Sequence, residues 1–141
     1  MYSYKYPRPS LTADVALFDT LCREVLLISR RNQPFKGCWA LPGGFFDFDD
    51  PSIDATAYRE LKEETGIDNV ELVEFCTASR VGRDPRGRTV SVVFVGFADK
   101  NTISAKGSDD ACDARWFRVD ALPPLAFDHT DILLKAIKRF L

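Results

Sequence analysis

The run Arg59-Glu60-Leu61-Lys62-Glu63-Glu64 carries the first chemical signal of this sequence. Glu60, Glu63 and Glu64 stand at i, i+3 and i+4, a spacing that confines them to an arc of about 100° on an α-helix. Carboxylates so placed repel by roughly 0.2 to 0.5 kcal/mol per pair, so the cluster is locally unfavourable without a counter-charge. A hard divalent cation removes the conflict. Mg2+ suits an all-oxygen donor set best, with Mn2+ as a substitute, because it accepts one or two carboxylates, retains waters and takes further ligands from substrate phosphates. A solvated acidic face has the same spacing, so the neighbouring residues decide. Upstream, Leu41-Pro42-Gly43-Gly44 sets two glycines side by side, which allows unusual backbone angles and the close approach of a carbonyl or a ligand. A turn there can face the acidic edge.

The helix that must present these acids is predicted over residues 51–65, PSIDATAYRELKEET. Asp50 is placed to cap it, Pro51 suits the first turn, and Gly66 follows the last periodic residue. Ala57, Tyr58 and Leu61 fall to one side of the acidic arc and can anchor the helix on a sheet. A second helix is predicted over 128–140, with Ile132, Leu133, Ala136, Ile137 and Phe140 on one face. Apolar, β-branched stretches at 12–18, 24–29, 70–77, 89–98 and 114–119 read as strands. Strands around isolated helices imply an α/β sandwich, and the sheet is expected to be mixed.

At 141 residues, 45% apolar and 12% aromatic, the chain is sized for a single domain over 1–141 with its own core. Nineteen Lys and Arg against 21 Asp and Glu leave a net charge of −2, which argues against bulk binding to a nucleic-acid backbone or an anionic membrane. Cys22, Cys38, Cys76 and Cys112 are widely spread and His129 is the single histidine, so zinc is disfavoured and a reducing compartment is implied. The start, MYSYKYPRPS, lacks the apolar run of a signal peptide, and no segment approaches the roughly 20 apolar residues of a membrane span. The expectation is a soluble, cytoplasmic protein whose anion contacts are local.

Taken whole, GGFFDFDDPSIDATAYRELKEETGI resembles the signature of the Nudix hydrolases. Its second half, Arg-Glu-apolar-x-Glu-Glu-x-Gly-apolar, is matched by Arg59, Glu60, Leu61, Glu63, Glu64, Gly66 and Ile67. The first half departs from the pattern: 14 residues separate Gly44 from Arg59 where the family has 13, and Pro51 takes the place of a helix-bracing glutamate. Asp50 or Asp49 is the candidate replacement. The resemblance implies a Nudix-type α/β/α sandwich with a mixed central sheet, and Mg2+-dependent hydrolysis of the pyrophosphate linkage of a nucleoside diphosphate derivative. It makes Glu60 and Glu64 the principal metal ligands, Glu63 a further ligand, the Gly43 carbonyl an added oxygen, and Arg59 the group that balances the acids. Divalent ions suit such a reaction because they neutralise phosphate charge and activate water.

The segment Gly82-Arg83-Asp84-Pro85-Arg86-Gly87-Arg88 lies between two predicted strands and offers arginine forks for phosphate. A solvated basic loop has the same composition. Together with WALPGGF at 39–45 and PLAFDH at 124–129, it resembles the branch containing ADP-ribose pyrophosphatases and Nudix-based repressors of nicotinamide-cofactor synthesis. The implied substrate is ADP-ribose, split to AMP and ribose 5-phosphate, with Arg83, Asp84, Arg86, Gly44 and Trp39 as substrate-binding residues. Those repressors carry a winged-helix domain that is not seen here, which favours the enzyme. Another nucleotide substrate, or a non-catalytic ADP-ribose sensor, stands as the alternative. The general base is expected either among Glu60 and Glu63 or among Asp109, Asp110 and Asp113 of the 99–113 loop. His129 is read as a helix-start or packing residue, Trp39 as core or cleft wall, and Trp39 or Phe46 as a candidate platform for a base. A homodimer, aided by the Tyr-rich first ten residues, is expected by resemblance.

Overall fold

In the computed structural model, residues 3–103 and 113–141 are described. The order is β1 (Ser10–Asp19), β2 (Glu24–Ser29), β3 (Trp39–Ala40), β4 (Gly43–Phe45), α1 (Ile53–Thr65), β5 (Leu72–Ala78), β6 (Thr89–Ala98), β7 (Ala114–Arg118) and α2 (His129–Phe140). The sheet runs β3-β2-β1-β6-β5, with β4 on β1 and β7 on β2. It is mixed: β1 and β6 pair in parallel from Ser10↔Thr89 to Asp19↔Ala98, and the other ladders are antiparallel.

Strand alternation divides the core in two. Ala16 and Phe18 of β1, Val25 and Leu27 of β2, and Val93 and Val95 of β6 pack with Ile132, Leu133 and Ala136 of α2. Their neighbours Val15, Leu17, Leu26 and Phe94 pack with Ala57 and Leu61 of α1. One helix therefore covers each face, and β1 is buried from both sides, as its nearly continuous apolar run requires. Full burial of Leu61 contributes about 2 kcal/mol. Among the described residues, no helix is long and apolar enough to cross a membrane.

Four local expectations are corrected. Ser52, not Asp50, caps α1, its Oγ accepting from Ala55 N–H at 3.2 Å, so Pro51 lies ahead of the cap. Tyr58 is 37% exposed; its hydroxyl accepts from Leu72 N–H at 2.9 Å and so ties down the start of β5. Residues 39–45 contain two short strands, β3 and β4, too brief to show a period-two pattern. Gly43 and Gly44 lie within β4 and adopt no left-handed angle, unlike the helix-ending Gly66 at φ 78°. Both are needed for close approach: a Cβ on Gly43 would collide with the Ala13 carbonyl and Asp14, and one on Gly44 with the Glu60 carboxylate.

Candidate catalytic cleft

The edge of β1 changes partner along its length. Thr12 to Asp14 pair with Phe45 to Gly43 of β4, while Phe18 and Asp19 pair with β2. Here a cleft of about 220 Å³ opens, bounded by Gly43, Gly44 and Phe45 on one side, Glu64 of α1, the 83–86 loop, and Phe127 and His129 at the head of α2.

Arg59 organises the acidic edge of α1. Its Nε and Nη2 donate to Asp50 Oδ1 and Oδ2, both at 2.8 Å, and Nη2 also reaches the Phe45 carbonyl at 3.1 Å. Nη1 is shared between Glu60 Oε1 at 2.8 Å and Glu63 Oε2 at 3.2 Å. Asp50, rather than the exposed Asp49, thus supplies the bracing carboxylate; it also accepts from Thr56 Oγ1 and Asp47 N–H, both at 2.9 Å. The Arg59 guanidinium, followed by the Asp47 N–H, holds the Asp50 carboxyl well below the usual range.

Glu64 sits deepest, its Oε1 accepting from Gly43 N–H at 2.7 Å. Burial pushes its carboxyl up to about 8, and the charges of Glu60 and Asp14 push the same way against the Gly43 N–H and Arg30. Burial also raises Glu60, although Arg59 opposes it. Glu63 faces water, with 55% of its side chain exposed. The donors fit a hard divalent ion: they are all oxygen, they share one helix edge, and the deepest is disfavoured as a bare anion. Glycine at 44 leaves the Glu60 carboxylate room against β4. Among the described residues, the donors gathered within 4.8 Å of one another are instead those of Asp19, Cys22 and Glu24 at the β1–β2 turn, where the Lys100 ammonium pairs with Glu24 and the Lys100 backbone N–H donates to Asp19 at 3.0 Å. Glu60, Glu63 and Glu64 are held less closely together, Arg59 binding the first two and Gly43 N–H the third.

The 83–88 loop is not a uniformly solvated basic segment. Arg83 is buried, donating to both oxygens of Asp128 at 2.9 and 2.7 Å and to Ser91 Oγ at 2.8 Å. Asp84 is buried too, accepting from Arg86 N–H at 2.9 Å, Arg86 Nη2 at 2.9 Å and Thr89 Oγ1 at 3.0 Å. Arg83 and Asp84 therefore shape the wall, while Arg86 presents its guanidinium at the mouth. That group lies 5.1 Å from the Phe45 ring centroid and 5.5 Å from that of Phe127. Trp39 does not line the cleft; its ring packs edge-on against Phe117 at 4.8 Å. Phe46 is 41% exposed and also lies off the lining.

Sequence reasoning passed over Asp14, Arg30, Phe45 and Phe127, all of which line the cleft. Asp14 had a usable signal, being an acid inside a strand otherwise apolar enough to be buried on both faces. Phe45 and Phe127 lie inside the WALPGGF and PLAFDH segments that carried the resemblance, but which side chains share one cleft with Arg30 is not legible locally, because β4, the 30–38 segment and the head of α2 meet only in three dimensions. Of the candidate bases, Asp109 and Asp110 lie outside the described residues. Asp113 pairs with Arg115 at 2.7 Å, away from the cleft lining.

Against known proteins, a NUDIX domain profile matches residues 8–140. The chain is 43% identical over 110 residues to the ADP-ribose pyrophosphatase of Methanocaldococcus jannaschii, covering 78% of this chain and 63% of that protein. It is 38% identical over 139 residues to the ADPR responsive transcriptional repressor NtrR of Acinetobacter baylyi, covering 95% and 55%. The chain thus spans less than two thirds of either relative. The NUDIX domain of Shewanella oneidensis NrtR, solved with ADP ribose, superposes with a TM-score of 0.89 at 32% identity, covering 99% of this chain and 94% of that one. A bifunctional NMN adenylyltransferase/ADP ribose pyrophosphatase from Francisella tularensis, solved with AMP and Mn ion, gives 0.79 at 26% identity, covering 96% and 43%. A match over nearly the whole length, on a fold that sets the glutamate edge of α1 against a diglycine strand, means that the chain belongs to the NUDIX family.

Proposed function

We propose that this protein hydrolyses the pyrophosphate linkage of a nucleoside diphosphate derivative with Mg2+, and that ADP-ribose, split to AMP and ribose 5-phosphate, is the substrate. The observation that carries this is the seating of Glu64 against Gly43 N–H inside a cleft whose mouth holds Arg86 between two phenylalanines. Glu60, Glu63 and Glu64 would hold the metal, which when bound supplies charge neutralisation and water activation. Arg59 keeps Glu60 and Glu63 on one side of the helix. Arg86 would meet phosphate, and Phe45 and Phe127 would offer ring faces to a planar base; all three line the cleft. The named ligand of the S. oneidensis domain and the named activity of the M. jannaschii relative favour ADP-ribose.

The reading extends to a cytoplasmic setting, with Cys22, Cys38 and Cys76 as free thiols, to a homodimer, and to the absence of nucleic-acid binding, given the net charge of −2. The test is a substrate panel in Mg2+, assayed for mononucleotide and orthophosphate release. AMP from ADP-ribose is expected. Hydrolysis of a nucleotide sugar or a dinucleoside polyphosphate in its place would remove the substrate assignment. Tight ADP-ribose binding without turnover would favour a sensor, the role that the similarity to NtrR suggests.

A further inference from the structure

We infer that His129 is a positioning residue for the glutamate edge of α1, acting through the backbone of Leu41-Pro42-Gly43 to set where Gly43 meets Glu64. The inference rests on the assignment of Glu64 to the metal-holding edge proposed above.

His129 is the sole histidine of the chain and is buried in the first turn of α2. Leu41 N–H, itself buried, donates to its Nδ1 at 3.0 Å across 88 positions of sequence. A ring nitrogen that accepts a hydrogen bond carries no proton, so the imidazole is neutral with its proton on Nε2. Nε2 lies 3.8 Å from Asp14 Oδ2, too far for a hydrogen bond, so the bond to Leu41 is the one that orients the ring.

Leu41, Pro42 and Gly43 are each pinned from a different element. His129 of α2 holds Leu41 N–H, Val15 of β1 donates to the Pro42 carbonyl at 2.8 Å, and Glu64 of α1 accepts from Gly43 N–H at 2.7 Å. Pro42 stiffens the segment, so a shift at Leu41 is passed on to Gly43 and moves the donor that orients the Glu64 carboxylate. The turn that delivers His129 is strained in a telling way. Ala126 N–H is held by the Trp39 carbonyl at 2.8 Å, and Phe127 then takes φ 52°, a left-handed angle that phenylalanine rarely adopts. Through that turn consecutive side chains reach opposite walls of the cleft, Asp128 to Arg83 and His129 to Leu41. Strain of this kind persists where the surroundings over-determine a geometry.

The test compares His129→Asn, whose Oδ1 can accept where Nδ1 does, with His129→Leu, which fills space without an acceptor. Mn2+ affinity, kcat and KM on ADP-ribose, and thermal unfolding are measured for both. His129→Leu is expected to weaken Mn2+ binding and lower kcat by about tenfold with KM little changed, and His129→Asn to restore most of both. Unchanged Mn2+ affinity in His129→Leu, or equal damage in both variants, overturns the inference while leaving the proposed function in place. Failure of the wild-type chain to bind Mn2+ overturns the proposed function and the inference with it. A wild-type chain that binds Mn2+ but hydrolyses no nucleotide removes only the proposed activity, and the Mn2+ comparison still decides the role of His129. Should His129→Leu fail to fold, nitrogen NMR of the one imidazole decides: an unprotonated Nδ1 with a protonated Nε2 is expected, and a proton on Nδ1 overturns the inference.

Discussion

Replacing Glu64 by Gln separates the thermodynamic consequence of its burial from its chemical role. Folding carries the carboxyl from its ordinary 4.5 to about 8, with burial the leading cause. Between those values the folded chain holds a proton that the unfolded chain has released. The contribution of Glu64 to the stability of the metal-free protein is therefore greatest below 4.5, falls as pH rises, and levels off above about 8. At about 1.36 kcal/mol per pH unit the whole window is worth at most about 5 kcal/mol, and contact with water reduces it to about 3 kcal/mol. Glu64→Gln keeps an oxygen for Gly43 N–H but has no charge to bury. In chelator, denaturant titrations should show the variant more stable than the parent by about 3 kcal/mol near pH 9 and equal to it near pH 4. Adding Mg2+ should stabilise the parent and not the variant, and the variant should lose most of its turnover. Parallel pH–stability curves for the two proteins would refute the burial argument, and unchanged turnover would refute the metal role.

Arg59→Lys keeps the charge but loses the two-pronged hold on Asp50, so kcat should fall by about tenfold or more; Asp50→Asn should fall similarly, and the double variant little further, because both break one network. Gly44→Ala drives a Cβ into the Glu60 carboxylate, the far end of a flexible side chain that can swing aside, so Mn2+ binding by calorimetry should weaken while stability changes by less than about 1 kcal/mol. Gly66→Ala meets no neighbouring atom but forces alanine into a left-handed angle, so unfolding should show a loss of about 1 to 2 kcal/mol with kcat unchanged.

Where local pattern and tertiary demand coincide, the sequence could be read directly. The helix expected over 51–65 and found over 53–65, its glycine stop and the acidic edge follow from a period that repeats over three turns. β1, β2 and β6 follow from long apolar runs. Reading stopped where elements are short or where a residue serves a distant partner. β4 is three residues long, and its glycines are there because Asp14 and Glu60 come so near. Asp50 looked like a helix cap because it precedes a proline, yet its oxygens are taken by Arg59 and Thr56. Asp128 begins α2 without a capping bond because Arg83 holds both of its oxygens.

Sequence alone determined which acids share a helix edge and that two helices must lie on a mixed sheet, since periodicity and apolar content are properties of neighbours along the chain. The tertiary structure alone decided that Asp50 braces Arg59, that Arg83 and Asp84 shape a wall while Arg86 faces the mouth, and that His129 holds Leu41. Those partners are 9 to 88 positions apart or depend on which of several arginines is buried, and only the packing of β1, β4 and the two helices brings them within reach of a hydrogen bond.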